Sequence, residues 1–285
     1  MSDVSVIGTG AMGSALVEGL AAAGAEVTVW NRTSKKAEAL SGPRVRVAQS
    51  VGEALASSPL MIVSVSDHEL ARTLIETEED LGEKVVVSTS FVTTDQARAF
   101  AAVVTGRGGH YLDLAIAAYP SEVRSRNGFL FISGDAAVYE AHRQQFEQIG
   151  RASFVDDTPG SAFISEMAVL LGYLPMAVGL LQGLRVCEQH GLPLEWFKET
   201  VGELYPFNIR SLLERVTSDA DPSASGVEAS VDVWGEGAAE YAEALRELGF
   251  DAGMYEALHR LFTAASEAGR GDADWTCIAA HVATR

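Results

Sequence analysis

Positive charge is scarce in this chain. Its 21 lysines and arginines stand against 39 aspartates and glutamates, a net charge of −18 over 285 residues. A surface this acidic repels phosphate backbones and anionic lipid, which argues against nucleic acid and membranes as partners. Cysteine is scarcer still. Cys187 and Cys277 both lie in apolar, helical contexts, so there is no disulfide framework to read. No Cys/His spacing suits a metal, and none is expected. With an apolar strand starting at Val4 and no leader pattern ahead of it, the expected location is cytoplasmic.

Charge is missing altogether from Met167 to Leu181. That run falls short of the roughly 18 to 20 residues a membrane span needs. A helix that is apolar all round is instead buried in a large core or between subunits. Repeats and low-complexity segments are absent as well. The apolar content of 47 % is that of a globular chain, and the length is comfortable for two domains.

What is present begins at the N-terminus with V-S-V-I-G-T-G-A-M-G, a glycine-rich turn between an apolar strand and a small-residue helix. In a dinucleotide-binding unit, Gly8 makes the tight turn, Gly10 lets backbone approach the pyrophosphate, and Gly13 packs helix on strand. Thr9, Ala11 and Met12 complete the turn, and the helix start offers free N–H groups to phosphate. The second strand, V-T-V-W, ends without the carboxylate that would hold both ribose hydroxyls. Asn31 stands there, followed by Arg32, Thr33, Ser34, Lys35 and Lys36, donors and cations suited to a 2′-phosphate. The expected cofactor is NADP(H), bound through Gly8 to Gly13 together with Asn31, Arg32, Thr33 and Lys36.

Strand and helix patterns alternate through the first half. Strands are predicted at 4–7, 26–30, 44–48, 60–65, 84–88, 110–114, 129–133 and 152–155. Helices are predicted at about 12–22, 34–40, 51–57, 68–76, 94–104 and 135–148. This predicts an α/β fold with a mostly parallel, doubly covered sheet. After Val155 the β-signal stops. Asp156, Asp157, Thr158 and Pro159 read as a helix start, and Gly191 with Pro193 as a stop, which predicts one helix of roughly 48 Å. Pro175 should bend it, and Gly172, Gly179 and Gly183 would let another helix approach. Further helices follow, with loops near 218–226 and 268–274. The expected domains are a Rossmann NADP-binding domain at 1–158, an interdomain helix at 159–191, and an all-helical C-terminal dimerisation and substrate domain at 192–285. So much apolar helical surface predicts a homodimer.

The layout and the G-T-G-A-M-G turn resemble the β-hydroxyacid dehydrogenase superfamily, and within it the imine reductases. The likeness runs through N-R-T at 31–33, V-S-V-S-D at 63–67, T-T-D-Q-A-R at 93–98 and Y-L-D-L-A-I-A-A-Y-P-S-E-V at 111–123. It continues through F-I-S-G-D at 131–135 and E-A-G-R-G-D-A-D at 267–274. Hydroxyacid dehydrogenases of the superfamily use a lysine on the long helix and a D-x-P-V-S-G-G grip on the substrate carboxylate. Here there is no lysine from Val85 to Phe197, and Asp113 to Tyr119 lacks the serine and both glycines. The imine reductases place Asp or Tyr at the lysine position, six residues after a glycine. Counting from Gly160 reaches Glu166, the only charged residue between Asp157 and Arg185.

The resemblance implies an NADPH-dependent reduction of a C=N bond, with Glu166 as the catalytic group and a small-molecule imine as substrate. It adds Val65, Ser66, Thr89 and Ser90 to the cofactor site and implies a helical domain exchanged between the two subunits of a dimer. Phe91, Ala117, Tyr119, Leu170, Tyr173, Leu174, Tyr205, Phe207 and Trp234 are candidate pocket walls. Reductive aminases of the family carry Asn where Phe91 stands, and a family Tyr falls on Leu174. Reduction of a preformed cyclic imine therefore fits better than coupling of amine and ketone. Two alternatives stay open: a β-hydroxyacid-type dehydrogenase, and a non-catalytic NADP-binding homologue.

Overall fold

The computed structural model describes residues 1–217, 226–280 and 282. They form two compact units that divide between Gly172 and Tyr173.

In the first unit eight strands form one sheet: β1 (Val4–Ile7), β2 (Val27–Trp30), β3 (Val45–Val47), β4 (Leu60–Val63), β5 (Val85–Ser88), β6 (His110–Ala117), β7 (Gly128–Gly134) and β8 (Gly150–Phe154). Their order is β3-β2-β1-β4-β5-β6-β7-β8, and every pair is parallel except β6 with β7. The inner strands read as near-continuous apolar runs because both faces are covered. On one face Val4, Val6, Leu60, Ile62, Val85 and Val87 meet α1 (Ala11–Ala22) and α7 (Ala136–Glu147). On the other, Ile7, Met61, Val63 and Val86 meet α3 (Val51–Ser57), α4 (His68–Glu76) and α5 (Thr94–Thr105). Ser5, a polar residue inside this core, donates to the Ala54 carbonyl at 2.6 Å and is bonded by Ser58 at 2.7 Å. The short helix α2 (Ser34–Glu38) follows β2.

Two departures from the predicted pattern lie around β6. This strand runs three residues past Leu114, because its antiparallel pairing with β7 continues to Ala117 opposite Phe129. Its parallel pairing with β5 has already ended at Asp113. A helix absent from the sequence reading, α6 (Pro120–Arg124), links the two strands. Proline opens it and Glu122 reaches back to accept the Tyr119 N–H at 2.6 Å. It is too short to show a helical period.

The stretch expected as one long helix over 159–191 is helical from Ser161 to His190 with a two-residue interruption. Helix α8 (Ser161–Leu170) belongs to the first unit and α9 (Tyr173–His190) to the second. The interruption falls at Leu171 and Gly172. Pro175 sits in the first turn of α9, where its missing N–H has no intrahelical acceptor to lose. Taken as one stretch, Ser161–His190 has the length and composition to cross a membrane. Its start is nevertheless fastened to the sheet, where Ala162 and Phe163 pack with Val92, Ala97 and Ala115.

The second unit continues with α10 (Leu194–Thr217), α11 (Val231–Glu247) and α12 (Gly253–Ala265). Gly183 of α9 takes the Phe197 ring so closely that a Cβ would lie 2.9 Å from it. Helices α11 and α12 pack through Val231, Gly235, Phe262 and Ala265. Asp274 is buried among donors: the Thr276 N–H and hydroxyl, the Glu228 N–H, and the Arg215 guanidinium. Apart from Gly226, the loop expected near 218–226 lies outside the described residues. The one expected near 268–274 begins within a π-helical turn, Ser266–Arg270.

Candidate active site

The glycine turn between β1 and α1 is built as the sequence requires. Gly8 has φ of 98°, and a Cβ on it would lie 2.1 Å from the Ser64 carbonyl oxygen. On Gly13 a Cβ would lie 2.2 Å from the Gly8 carbonyl oxygen, whereas Gly10 faces open space. No side chain caps α1, so its first N–H groups remain available. The Thr9 hydroxyl is buried without a partner among the described residues.

Asn31, at the end of β2, joins two segments. Its Oδ1 accepts the Thr9 N–H at 3.1 Å and its Nδ2 donates to the Thr33 carbonyl at 3.0 Å. A carboxylate could make the first bond but not the second. Arg32, Lys35 and Lys36 follow, all exposed and without an ion pair among the described residues. A free N-terminal helix turn, a buried orphan hydroxyl and a group of available cations fit a dinucleotide carrying a 2′-phosphate.

Beside the turn opens a cleft of about 370 Å³. Gly10, Ala11, Met12 and Gly13 form one wall, and Ser64, Val65, Ser66 and Thr89 another. Phe91, Ile116, Phe163 and Glu166 complete it. The Phe91 ring is 68 % exposed and stands edge-to-face with Phe163, 6.1 Å between centroids. Among the described residues, Glu166 is the only titratable side chain lining this cleft. It is half-buried and makes no hydrogen bond or ion pair with another described residue, and burial pushes its carboxyl above the ordinary carboxylate range.

Of the cofactor residues read from sequence, Gly10 to Gly13, Val65, Ser66 and Thr89 meet in this cleft. Ser90 does not line it: it is buried and donates to the Val65 carbonyl at 3.0 Å, so it shapes the wall from behind. Of the candidate substrate residues in the first unit, Phe91 lines the cleft, while Ala117, Tyr119 and Leu170 do not. Ala117 ends β6, Tyr119 precedes α6, and Leu170 ends α8. The remaining candidates belong to the second unit, where Trp234 stacks with Phe262 and tilts against Trp275. Sequence reasoning missed Ser64, Ile116 and Phe163. For Phe163 a signal existed, since it precedes Glu166 by three residues and shares its helical face.

The family model for the NAD binding domain of 6-phosphogluconate dehydrogenase matches residues 3–158, and that for the NADPH-dependent reductive aminase-like C-terminal domain matches 158–284. An NADPH-dependent reductive aminase of Aspergillus oryzae is 27 % identical over 183 residues, 64 % of this chain. That match spans 62 % of the fungal protein's length. Imine reductases are among the solved structures that the chain resembles. The imine reductase from Pseudomonas sp. superposes with a TM-score of 0.88 at 26 % identity, covering 99 % of both chains. The imine reductase from Myxococcus stipitatus in complex with NADP+ gives 0.85 at 27 %, covering 99 % of this chain and 100 % of that one. With the glycine turn, the basic segment after β2 and both domain models in agreement, the chain belongs to the NADPH-dependent imine reductase and reductive aminase family.

Proposed function

We propose that this protein reduces the C=N bond of a small cyclic imine to an amine, using NADPH and Glu166. One observation carries the reading: the cleft beside the dinucleotide turn is largely apolar, and among the described residues it contains a single titratable group, Glu166. When bound, NADPH supplies the hydride. The first turn of α1, Thr9 and the Arg32–Lys36 segment would hold its phosphates. Ser64 to Ser66 and Thr89 would bound the space over the nicotinamide.

An imine carbon accepts hydride far more readily once its nitrogen is protonated. Burial keeps the Glu166 carboxyl protonated to higher pH than an exposed glutamate, so it is suited to deliver that proton. The carboxylate left behind would then stabilise the iminium across an apolar, low-dielectric site. Phe91 and Phe163 give the cleft apolar walls beside Glu166. Phe91 offers no hydrogen bond to a free amine, which favours a preformed imine as substrate. The absence of lysine from Val85 to Phe197 speaks against hydroxyacid chemistry.

The exposed apolar side chains of α9 and α10, among them Leu181, Trp196, Phe207 and Leu213, support a homodimer. In that dimer the helical unit of one copy would complete the pocket of the other, with Tyr173, Leu174, Phe207 and Trp234 as walls.

The test follows NADPH absorbance with 1-pyrroline and a dihydroisoquinoline, in wild type and Glu166→Ala. Turnover that collapses at least about 100-fold in the variant while NADPH still binds is the expected result. Binding of NADPH without turnover of any imine would overturn the reading and favour a non-catalytic homologue.

A further inference from the structure

One buried polar cluster is not accounted for by cofactor or substrate. Asp113 on β6 is fully buried, yet its carboxylate gathers three donors: the Tyr111 hydroxyl at 2.6 Å, the Ser133 hydroxyl at 3.2 Å, and the Gly160 N–H. Ser133 Oγ in turn accepts the Ala162 N–H at 3.0 Å, which leaves its own proton for Asp113. Every partner donates, which favours the charged form, but burial outweighs these bonds from Tyr111, Gly160 and Ser133 and leaves the carboxyl above its ordinary value. Burial and the adjacent Asp113 push Tyr111 well above its ordinary value, which keeps it a donor.

These bonds hold the beginning of α8. The first N–H groups of a helix have no intrahelical partner and usually take one from a capping side chain. Gly160 cannot supply it. It has no side chain, its φ is 96°, and a Cβ would lie 2.8 Å from the Thr94 Cα. The cap comes instead from the sheet, through Asp113 and Ser133, which face each other across the antiparallel β6–β7 pair. A negative charge at this end is also favoured by the helix dipole. Glu166 lies six residues further along, about 9 Å down the axis. Having no bond of its own to the described residues, it takes its position from the helix.

We propose that Asp113, directly and through Ser133, is a positioning residue that fixes the start of α8 and thereby the placement of Glu166 in the cleft. This rests on the reading of Glu166 as proton donor. Asp113 touches neither the cleft nor the reacting atoms, so its influence passes entirely through the helix. The apolar contacts of Ala162 and Phe163 anchor the same turn, but they do not fix its height along the sheet to hydrogen-bond tolerance.

The test uses the full-length protein carrying Asp113→Asn or Ser133→Ala, each alone and combined with Glu166→Gln. The first change puts an amide donor among three donors, and the second removes the acceptor of the Ala162 N–H. The expected loss in kcat for the imine is about 100-fold for Asp113→Asn and about tenfold for Ser133→Ala, with KM for NADPH unchanged within about twofold. In the Glu166→Gln background neither change costs anything further. Full additivity in that background, or a loss that falls on KM for NADPH, would overturn the assignment.

A second measurement does not depend on turnover. Isotope-edited infrared titration of the Glu166 carboxyl, identified by difference from Glu166→Gln, should give a midpoint above the ordinary range in wild type. It should give an ordinary one in Ser133→Ala, whose loosened helix start admits water. A midpoint that does not move would overturn the positioning role, including in the case where Asp113→Asn fails to fold. A wild-type protein inert toward imines, with the midpoint shift intact, would overturn the proposed reaction and leave the positioning role standing.

Discussion

At Gly13 one methyl group decides whether the turn can form. A Cβ there would lie 2.2 Å from the Gly8 carbonyl oxygen, in backbone that has nowhere to move. Gly13→Ala should cost about 2 kcal/mol or more in chemical denaturation and weaken NADPH binding, whereas Gly10→Ala, facing open space, should leave stability nearly unchanged. This difference was legible in the sequence, because the spacing of Gly8, Gly10 and Gly13 already assigns each a separate task. Asn31 was legible only as a missing carboxylate. Its bridge from the Thr9 N–H to the Thr33 carbonyl depends on chain segments that meet only in the fold. Arg32 and Lys36 remain exposed and available, so the paired change Arg32→Ala and Lys36→Ala should narrow the preference for NADPH over NADH by about tenfold or more, read as the ratio of kcat/KM values. Glu166 was reached by counting from Gly160, but the bond network that holds Gly160 was not. Asp113, Ser133 and Gly160 are too far apart in sequence for any spacing rule to join them.

Strands and helices with strong periods were readable to within a residue or two, as with β1, α3 and α4. Elements governed by pairing or by caps were not. The extra residues of β6 exist because β7 pairs with them, and α6 exists because Pro120 and Glu122 define its first turn. The break between α8 and α9 shows the same limit. A proline was the visible signal, yet the helical pattern is interrupted at Leu171 and Gly172. Near the C-terminus, the segment E-A-G-R-G-D-A-D ends in Asp274, whose role only the fold reveals. Burial pushes this carboxyl up, but bonds from Thr276 and Arg215 outweigh that and hold it below its ordinary value. A depressed folded-state pKa contributes stability above the unfolded value and loses it as pH falls through the folded one. Asp274→Ala should therefore destabilise the protein by about 3 kcal/mol at neutral pH, leaving the Arg215 side chain without its buried partner. Thermal or urea unfolding at pH 7 and at acid pH would check this, since the difference from wild type should shrink on acidification.

On the scale of the whole molecule the apolar inventory is lopsided. The sheet of the first unit is covered on both faces, while α10 buries none of its residues and α9 buries only Cys187. The proposed dimer accounts for that surface, and it makes a sharp expectation. Sedimentation should give twice the chain mass for wild type, and Leu213→Glu on α10 should shift it toward the monomer. If the pocket draws on both copies, imine turnover should fall with the dimer while NADPH binding by the first unit persists. A fully active monomer would remove the second copy from the site. Composition had suggested association from the charge-free run alone, but which helices carry the exposed surface required the fold.

The proton donor is the centre of the proposed chemistry, and its pH dependence tests it most directly. Burial raises the Glu166 pKa, so its protonated, donating form persists into the range where an ordinary glutamate is ionised. The measurement is kcat for 1-pyrroline against pH in wild type and in Glu166→Gln. The expected wild-type rate is high on the acid side and falls as pH rises through the raised Glu166 pKa. The variant should be at least about 100-fold slower and should lack that descent. The same rate and the same descent in Glu166→Gln would contradict the assignment of Glu166 to the reaction.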